Sequence, residues 1–416
     1  MTGPRNTATL RGLWVIGVML AAIVTVSAAL GPLTEPADAA GAPVLDVRVN
    51  PALDLSIVAS GLQAPRGLAA VSNDRIFVTE FSWTKGQGRL SRLDRSGVGP
   101  WKRTTVFAGL DRPFGIALGP DNKVYVGEAG TIFRFDPTAQ SPKREDVIGG
   151  ASRVPRLPSR GLHPLTQVMF LNDRSLLAGL GSDTNNCEKS KGKPRCAAAV
   201  GRNAVGVVRR YDMSWPAGTP GAWTVVASGL RNSMGLAQHS SGTVLQVENG
   251  RDDITKADPK LSDDLFPHDE LNEINPARPA DHGWPHCYDN QVPSPEFRRY
   301  ACAATKAPMR LLPAHSAPLG MSYWTGSAAP AAFAGSLVIS YHGYRDTGHR
   351  LVSFPVDGSG RPSGAAVMLI DDWGEKDLAS GESQNFGGPV GILPMPDGSL
   401  FVADDRNNVV LRLAGR

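Results

Sequence analysis

Four carboxylates recur in this sequence at one register. Glu80, Glu128, Glu248 and Asp404 each stand 13 residues after a glycine: 67 to 80, 115 to 128, 235 to 248 and 391 to 404. Residues at a fixed place in stacked, equivalent units are carried to equivalent places, here a ring about a shared axis. Carboxylates converging in one channel repel unless a cation or hydrogen-bond donors share the space. The set predicts a polar or metal-occupied channel; the competing reading gives each acid to its own turn or to an arginine of its own unit. His163 stands at the corner of a further, degenerate copy, where others carry Pro or Arg. A lone histidine is more often structural than catalytic. This one precedes an inner strand, so it could reach the channel mouth, and a neutral imidazole is a suitable base near pH 7. His282 and His286 have H-x3-H spacing, but Gly283, Trp284 and Pro285 lie between them and forbid a helix. A helical zinc motif is excluded, and turn and packing roles are expected for both.

The elements that must position these residues are strands. Each copy has a lead, a corner glycine, an apolar run, a tight turn and a second apolar run ending in the acid. Leu62-Gln63-Ala64-Pro65-Arg66-Gly67-Leu68 is followed by Asn73-Asp74-Arg75, then Ile76-Phe77-Val78-Thr79-Glu80. Leu110-Asp111-Arg112-Pro113-Phe114-Gly115, Leu230-Arg231-Asn232-Ser233-Met234-Gly235 and Gly388-Pro389-Val390-Gly391 lead the other three clear copies. Two degenerate copies span 162–183 and 317–342. Each unit reads as strand, turn, strand and further strand. One such sheet cannot bury both faces alone, whereas six arranged radially can. The fold class is therefore all-β, a six-bladed β-propeller. From Gly67 to Gly391 is 324 residues over five steps, or about 65 per blade, above the ~40–50 of compact blades. Long loops at 140–162, 184–202, 251–310 and 369–387 carry the excess.

Composition bounds the function classes. The chain has 416 residues, 43 basic against 39 acidic, and a formal net charge of +4, with no long Lys/Arg block. Nucleic acid is not an expected partner. Hydrophobic residues are 41% and charged residues 20%, which excludes a disordered chain, a coiled coil and a polytopic membrane protein. Residues 1–40 read as an export signal: Arg5 and Arg11, the uncharged apolar stretch 13–30, then Ala37-Asp38-Ala39. An uncleaved membrane anchor is the alternative, and either places the propeller, 41–416, outside the cytoplasm, secreted or at the cell surface. The four cysteines all lie in the exported part. Two disulfides are expected, Cys187–Cys196 and Cys287–Cys302, because each closes a short polar loop; no C-x2-C spacing supports zinc. No phosphate-binding loop, G-x-S-x-G elbow or Rossmann turn is present.

The sequence resembles the glucose/sorbosone dehydrogenase family over essentially all of 53–416. The residues that carry the likeness are Arg231-Asn232-Ser233-Met234-Gly235-Leu236-Ala237, Glu248-Asn249-Gly250-Arg251, Asn272-Glu273-Ile274-Asn275 and His282-Gly283-Trp284-Pro285. The sorbosone branch is the more similar, through Gly181–Cys187, Gly283–Asp289 and Ala314–Gly320. The resemblance implies an exported six-bladed propeller using pyrroloquinoline quinone (PQQ) and calcium to oxidise a sugar or aldehyde, with an external electron acceptor. It implies that Arg231, Asn232 and Asn249 contact the quinone, that the main-chain carbonyls of Gly250 and Arg251 hold calcium, and that His163 is the base. The sequence also departs from the family. Ser182, with Asp183 beside it, stands where an orienting aspartate is expected. Arg75 replaces a cofactor-contacting glutamine, His342 or Arg345 stands for the fifth-blade cation, and Gly388 replaces a last-blade arginine. Two other functions fit a six-bladed propeller with converging acids: a calcium-dependent, lactonase-like hydrolase and a non-catalytic binding propeller.

Overall fold

The structure, a computed structural model, describes residues 34–36, 45, 47–188, 196–326, 329–371, 373 and 387–416. Apart from Thr34–Pro36, which pair antiparallel with Lys102–Thr104, the expected export signal lies outside the described residues. Six sheets, antiparallel except where Ala280–Asp281 joins Ala227–Ser228 in parallel, surround one axis. Their inner strands are Pro65–Ser72, Ile116–Leu118, Thr166–Phe170, Asn232–Gln238, Pro318–Tyr323 and Pro389–Pro394. Each inner strand packs on the next around a closed ring, and the last returns to the first. The last blade takes its outer strand from the start of the propeller. Leu53–Ala59 pairs antiparallel with Val409–Gly415, tying the two ends of the chain together.

The second strand of each blade is covered on both faces by neighbouring blades. Val124–Glu128, Leu176–Leu180, Leu337–Tyr341 and Leu400–Asp404 are therefore buried at every residue. This explains why these runs are almost wholly apolar, as expected of a strand with no solvent face. Between blades the core is aromatic and aliphatic; Trp324, Trp373, Leu351, Val402 and Leu411 fill one such interface.

The corner glycines form the axis itself. Gly67, Gly115, Gly235, Gly320 and Gly391, with Gln167 of the third blade, line a narrow channel of about 120 Å³. A Cβ on Gly391 would meet the Arg66 carbonyl at 2.1 Å, and one on Gly320 the Val390 carbonyl at 1.9 Å. Only glycine lets neighbouring backbones approach so closely. In blades one, four, five and six the pairing of inner and second strands slips by one residue across this corner, for example from Pro65–Glu80 to Leu68–Val78. Such a bulge bends the inner strand against the axis. Because equivalent registers of adjacent inner strands meet, all six lead loops open at one end of the propeller. Among the described residues no helix is long and apolar enough to cross a membrane.

Candidate active site

The ring of acids corrects the sequence reading. Each acid turns back on the lead loop of its own blade. Glu80 accepts the Gln63 backbone N–H at 2.6 Å, Glu128 that of Asp111 at 2.7 Å, Glu248 that of Arg231 at 2.6 Å and Asp404 that of Gly388 at 2.9 Å. Glu80 is further engaged by Arg89 and Ser91, and Glu128 by Arg144. Among the described residues no group of three His, Cys, Asp or Glu is arranged to hold a metal. The shared register is structural: a buried carboxylate pins the loop that starts each blade. That rigid mount is what fixes the residues carried by the lead loops.

On the side of blades three to five, these loops bring His163, Arg231, Asn232 and Asn249 together. Gly181 stands between them, and a Cβ there would meet the His163 Cβ at 2.4 Å and Asn232 Oδ1 at 2.9 Å. Asn232 Nδ2 donates to Asn249 Oδ1 at 2.7 Å, and Asn249 Nδ2 to the Pro318 carbonyl at 2.9 Å. Arg231 is buried. Its guanidinium donates to Asp252 at 2.5 Å, Asn185 at 3.0 Å and the Asn249 carbonyl at 3.4 Å. Burial lowers the Arg231 pKa against the pull of Asp252. His315, at φ +56°, stands 3.6 Å from Asp252. Desolvation alone would raise the Asp252 pKa, but the neighbouring His315 and Arg231 charges pull it down to about 2.

Ser182, standing where an orienting aspartate is expected, contacts the His163 ring. Its carbonyl and hydroxyl each lie 3.1 Å from His163 Nδ1. A carbonyl only accepts, so Nδ1 carries the hydrogen and Nε2 is left with a free lone pair. The adjacent Asp183 turns to Arg160 at 3.2 Å. Desolvation, reinforced by the Arg231 charge, lowers the His163 pKa to about 3. The ring is thus neutral throughout the physiological range.

The other proposed residues divide. Arg75 is not at this end. It follows the hairpin turn at the far end of its strand, opposite Ser72, and pairs with Asp94 at 2.6 Å. This corrects its expected place beside the cofactor. His342 is at the mouth, buried, with Nε2 2.9 Å from Asp405. Arg345 lies on the rim, paired with Asp264. Arg251 is clamped by both oxygens of Glu296, each at 2.7 Å, and the Gly250 N–H donates to Asp269 at 2.7 Å, so the 250–251 backbone is held on both sides. Sequence reasoning missed a second cluster. Arg66 pairs with Asp405 at 2.6 Å, and Arg406 donates to the His342 carbonyl at 2.9 Å. One signal was available: among the residues just before the corner glycines at 67, 115, 235, 320 and 391, Arg66 alone is charged. His282 and His286 are both buried. The first contacts Asn272 at 3.1 Å and the second stacks on Tyr300 at 4.2 Å. Both expected disulfides are formed.

A family model described as TrAA12-like matches residues 47–415. The chain belongs to that family. A pyrroloquinoline quinone-dependent pyranose dehydrogenase of Coprinopsis cinerea is 22% identical over 90% of this chain and 56% of its own length. An uncharacterised protein of Borreliella burgdorferi is 28% identical over 45% of this chain and 48% of its own. The chain thus spans about half the length of the curated relatives it matches. The PQQ domain of the Coprinopsis cinerea pyranose dehydrogenase in its holo form superposes with a TM-score of 0.69 at 18% identity, covering 90% of this chain and 98% of that one. The calcium structure of the Trichoderma reesei family AA12 enzyme also gives 0.69, at 19% identity over 89% and 97%. At these identities the superpositions establish the six-bladed fold.

The mouth of this TrAA12-like chain suits a planar polyanion. Asn232 Oδ1, His315 Nε2 and Arg66 Nε, on loops at this end, are buried polar atoms without a protein partner. Guanidinium groups flank it on two sides, Arg231 on one and Arg66 with Arg406 on the other, and each can bind a carboxylate. For calcium, the main-chain carbonyls of Gly250 and Arg251 offer hard oxygens, while the neighbouring Asp252 is engaged by Arg231 at 2.5 Å.

Proposed function

We propose that the chain is an exported PQQ- and calcium-dependent oxidoreductase that oxidises a sugar or aldehyde, passing electrons to an external acceptor. The observation that carries this reading is the convergence of His163, Arg231, Asn232 and Asn249 at one end of the channel, with the His163 tautomer set by Ser182. Bound PQQ would supply the two-electron acceptor, which no side chain provides. Arg231, Asn232 and Asn249 would hold its quinone edge, with Arg66, Arg345 and Arg406 supplying positive charge across the mouth and His342, kept neutral by burial, offering a hydrogen bond beside them. Gly250 and Arg251 would present main-chain oxygens to calcium.

The chain's own contribution to chemistry is positional and acid–base. The Nε2 lone pair of His163 takes the proton of the substrate hydroxyl as that carbon is oxidised. The lowered pKa keeps the ring neutral but weakens it as a base, so its role leans on the Arg231 charge stabilising the negative charge that develops as the proton leaves. The hydrolase alternative drew on converging acids, and each of these accepts a backbone N–H from its own lead loop, although Glu248 Oε2 is buried without a partner. The test is calorimetric titration of PQQ into calcium-loaded protein. Arg231→Ala should bind more weakly by about 1.5–3 kcal/mol, and the loaded wild type should reduce a dye with sugar. Equal binding by the two proteins would overturn the role given to Arg231, and no quinone binding by the wild type would overturn the function.

A further inference from the structure

The mouth also carries two largely exposed aromatic rings. Trp83 is 65% exposed and Tyr344 83%. Neither ring is unsupported. Trp83 meets Phe81 edge-on with centroids 4.9 Å apart; Arg406 lies 4.1 Å from the centre of the Tyr344 ring, and His342 meets that ring edge-on at 5.8 Å. Trp83 belongs to the loop after Arg75–Glu80, and Gln63 Nε2 ties this loop to the lead loop through the carbonyls of Phe81 at 3.1 Å and Gln87 at 3.2 Å. Tyr344 follows Leu337–Tyr341, whose end is fixed by the His342 N–H donating to the Ala317 carbonyl at 3.2 Å. Both rings therefore stand at the same end of the propeller as His163. Between them runs an unbroken line of contacts. Arg66 lies 4.8 Å from the Phe81 ring centre and 2.6 Å from Asp405, and Asp405 lies 2.9 Å from His342. Arg66 Nε, buried in this line, has no protein partner.

This mixture selects a chemistry. A pyranose ring presents apolar C–H faces and a rim of hydroxyls, so it needs an open aromatic face with charged hydrogen-bonding groups beside it. A protein's anchor residue would instead want a pocket with an apolar surround, and here charged groups border both rings. The geometry points to Trp83 and Tyr344 as platforms for sugar units next to the one that is oxidised, so that the enzyme acts on the end of an oligosaccharide better than on a free monosaccharide. This inference rests on the sugar-oxidoreductase reading and names its substrate class.

The test uses the whole protein without added quinone, so that binding is read apart from turnover. Maltohexaose, cellohexaose and xylohexaose are titrated calorimetrically against glucose and xylose. One hexasaccharide should bind about tenfold more tightly than its own monosaccharide. Trp83→Ala and Tyr344→Ala should each lose most of that gain while leaving monosaccharide affinity and the unfolding midpoint unchanged, and Trp83→Ala should also leave PQQ affinity unchanged. Hexasaccharides that bind no better than monosaccharides, or variants that keep the full gain, overturn the subsite. The two readings fail separately. Monosaccharide oxidation by the loaded enzyme without a chain-length gain removes only the subsite; a chain-length gain without dye reduction by any sugar removes the oxidoreductase reading.

Discussion

His163→Gln should change how stability depends on pH, and the size of the change follows from the ring's surroundings. In the unfolded chain this histidine titrates near the ordinary ~6.5. In the folded protein, desolvation and the Arg231 charge lower the pKa to about 3. Between those values the unfolded state binds a proton that the folded state refuses. Its contribution to stability is therefore fully present above pH ~6.5 and is lost as pH falls toward 3, at a limiting slope of about 1.4 kcal/mol per pH unit. Between pH 7.5 and 4.5 the loss amounts to about 2.5 kcal/mol, or above ~1 kcal/mol once the ring's partial contact with solvent is discounted. Glutamine does not titrate and can still donate to the Ser182 carbonyl. Urea unfolding of both proteins, without added quinone, at pH 7.5, 6.0, 5.0 and 4.5 isolates the contribution of His163. The stability of wild type minus that of the variant should fall steadily across the series. Other histidines with lowered pKa values, His282 and His349 among them, cancel in that difference. Stability curves that stay parallel down to pH 4.5 would show that His163 is not held neutral by its site, and the case for it as a ready base would fail.

Other perturbations test the frame that carries the site. Gly391→Ala places a Cβ 2.1 Å from the Arg66 carbonyl and should cost about 1–3 kcal/mol in urea unfolding. Gly358→Ala has nothing within 4 Å and serves as the control. Glu80→Gln weakens a buried loop pin and should cost about 1.5–3 kcal/mol; a loss that differs with and without a calcium chelator would restore the metal reading of the acid ring. Replacing Cys287 and Cys302 together by Ser opens a bridge with a sequence separation of 15 and should lower stability by about 3 kcal/mol; an unchanged unfolding midpoint would mean the 275–309 segment is held without it.

The architecture was legible because it is periodic. The corner glycines and the apolar second strands repeat, and each repetition has one physical cause: close approach at the axis for the first, burial on both faces for the second. The disulfides were legible for a related reason, since each closes a short loop. What the acids do was not legible. Register showed that Glu80, Glu128, Glu248 and Asp404 occupy equivalent places, but a carboxylate aimed into the channel and one folded back on its own lead loop share the same register. The closure was also hidden, because Leu53–Ala59 looks like an ordinary strand and its partner is Val409–Gly415 at the other end of the chain. Arg75 failed as a site residue for a third reason. It was matched by position to a cofactor-contacting glutamine, and that position directly follows the hairpin turn at the opposite end of the blade from the lead loops.

Gly388 shows why carrying a cation by register alone can mislead. At that position the resemblance leads one to expect an arginine, and its absence reads as a lost partner for an anionic cofactor. In the structure a Cβ on residue 388 would meet Asp405 Oδ1 at 2.2 Å, Arg406 Cγ at 2.8 Å and His342 Nε2 at 3.1 Å. The glycine is thus the space in which Asp405, Arg406 and His342 assemble. Arg66 then joins them from the first blade's lead loop, and Asp405, shared between Arg66 and His342, holds that blade against the fifth and sixth. Burial lowers the pKa of both Arg66 and His342, so the charge of this group depends on Asp405, whose own pKa His342 and Arg66 pull down to about 2 against desolvation. Positive charge therefore reaches the mouth from loops other than the one that lost it. It arrives as a linked set spanning three blades, so a perturbation at any member should be felt at the others.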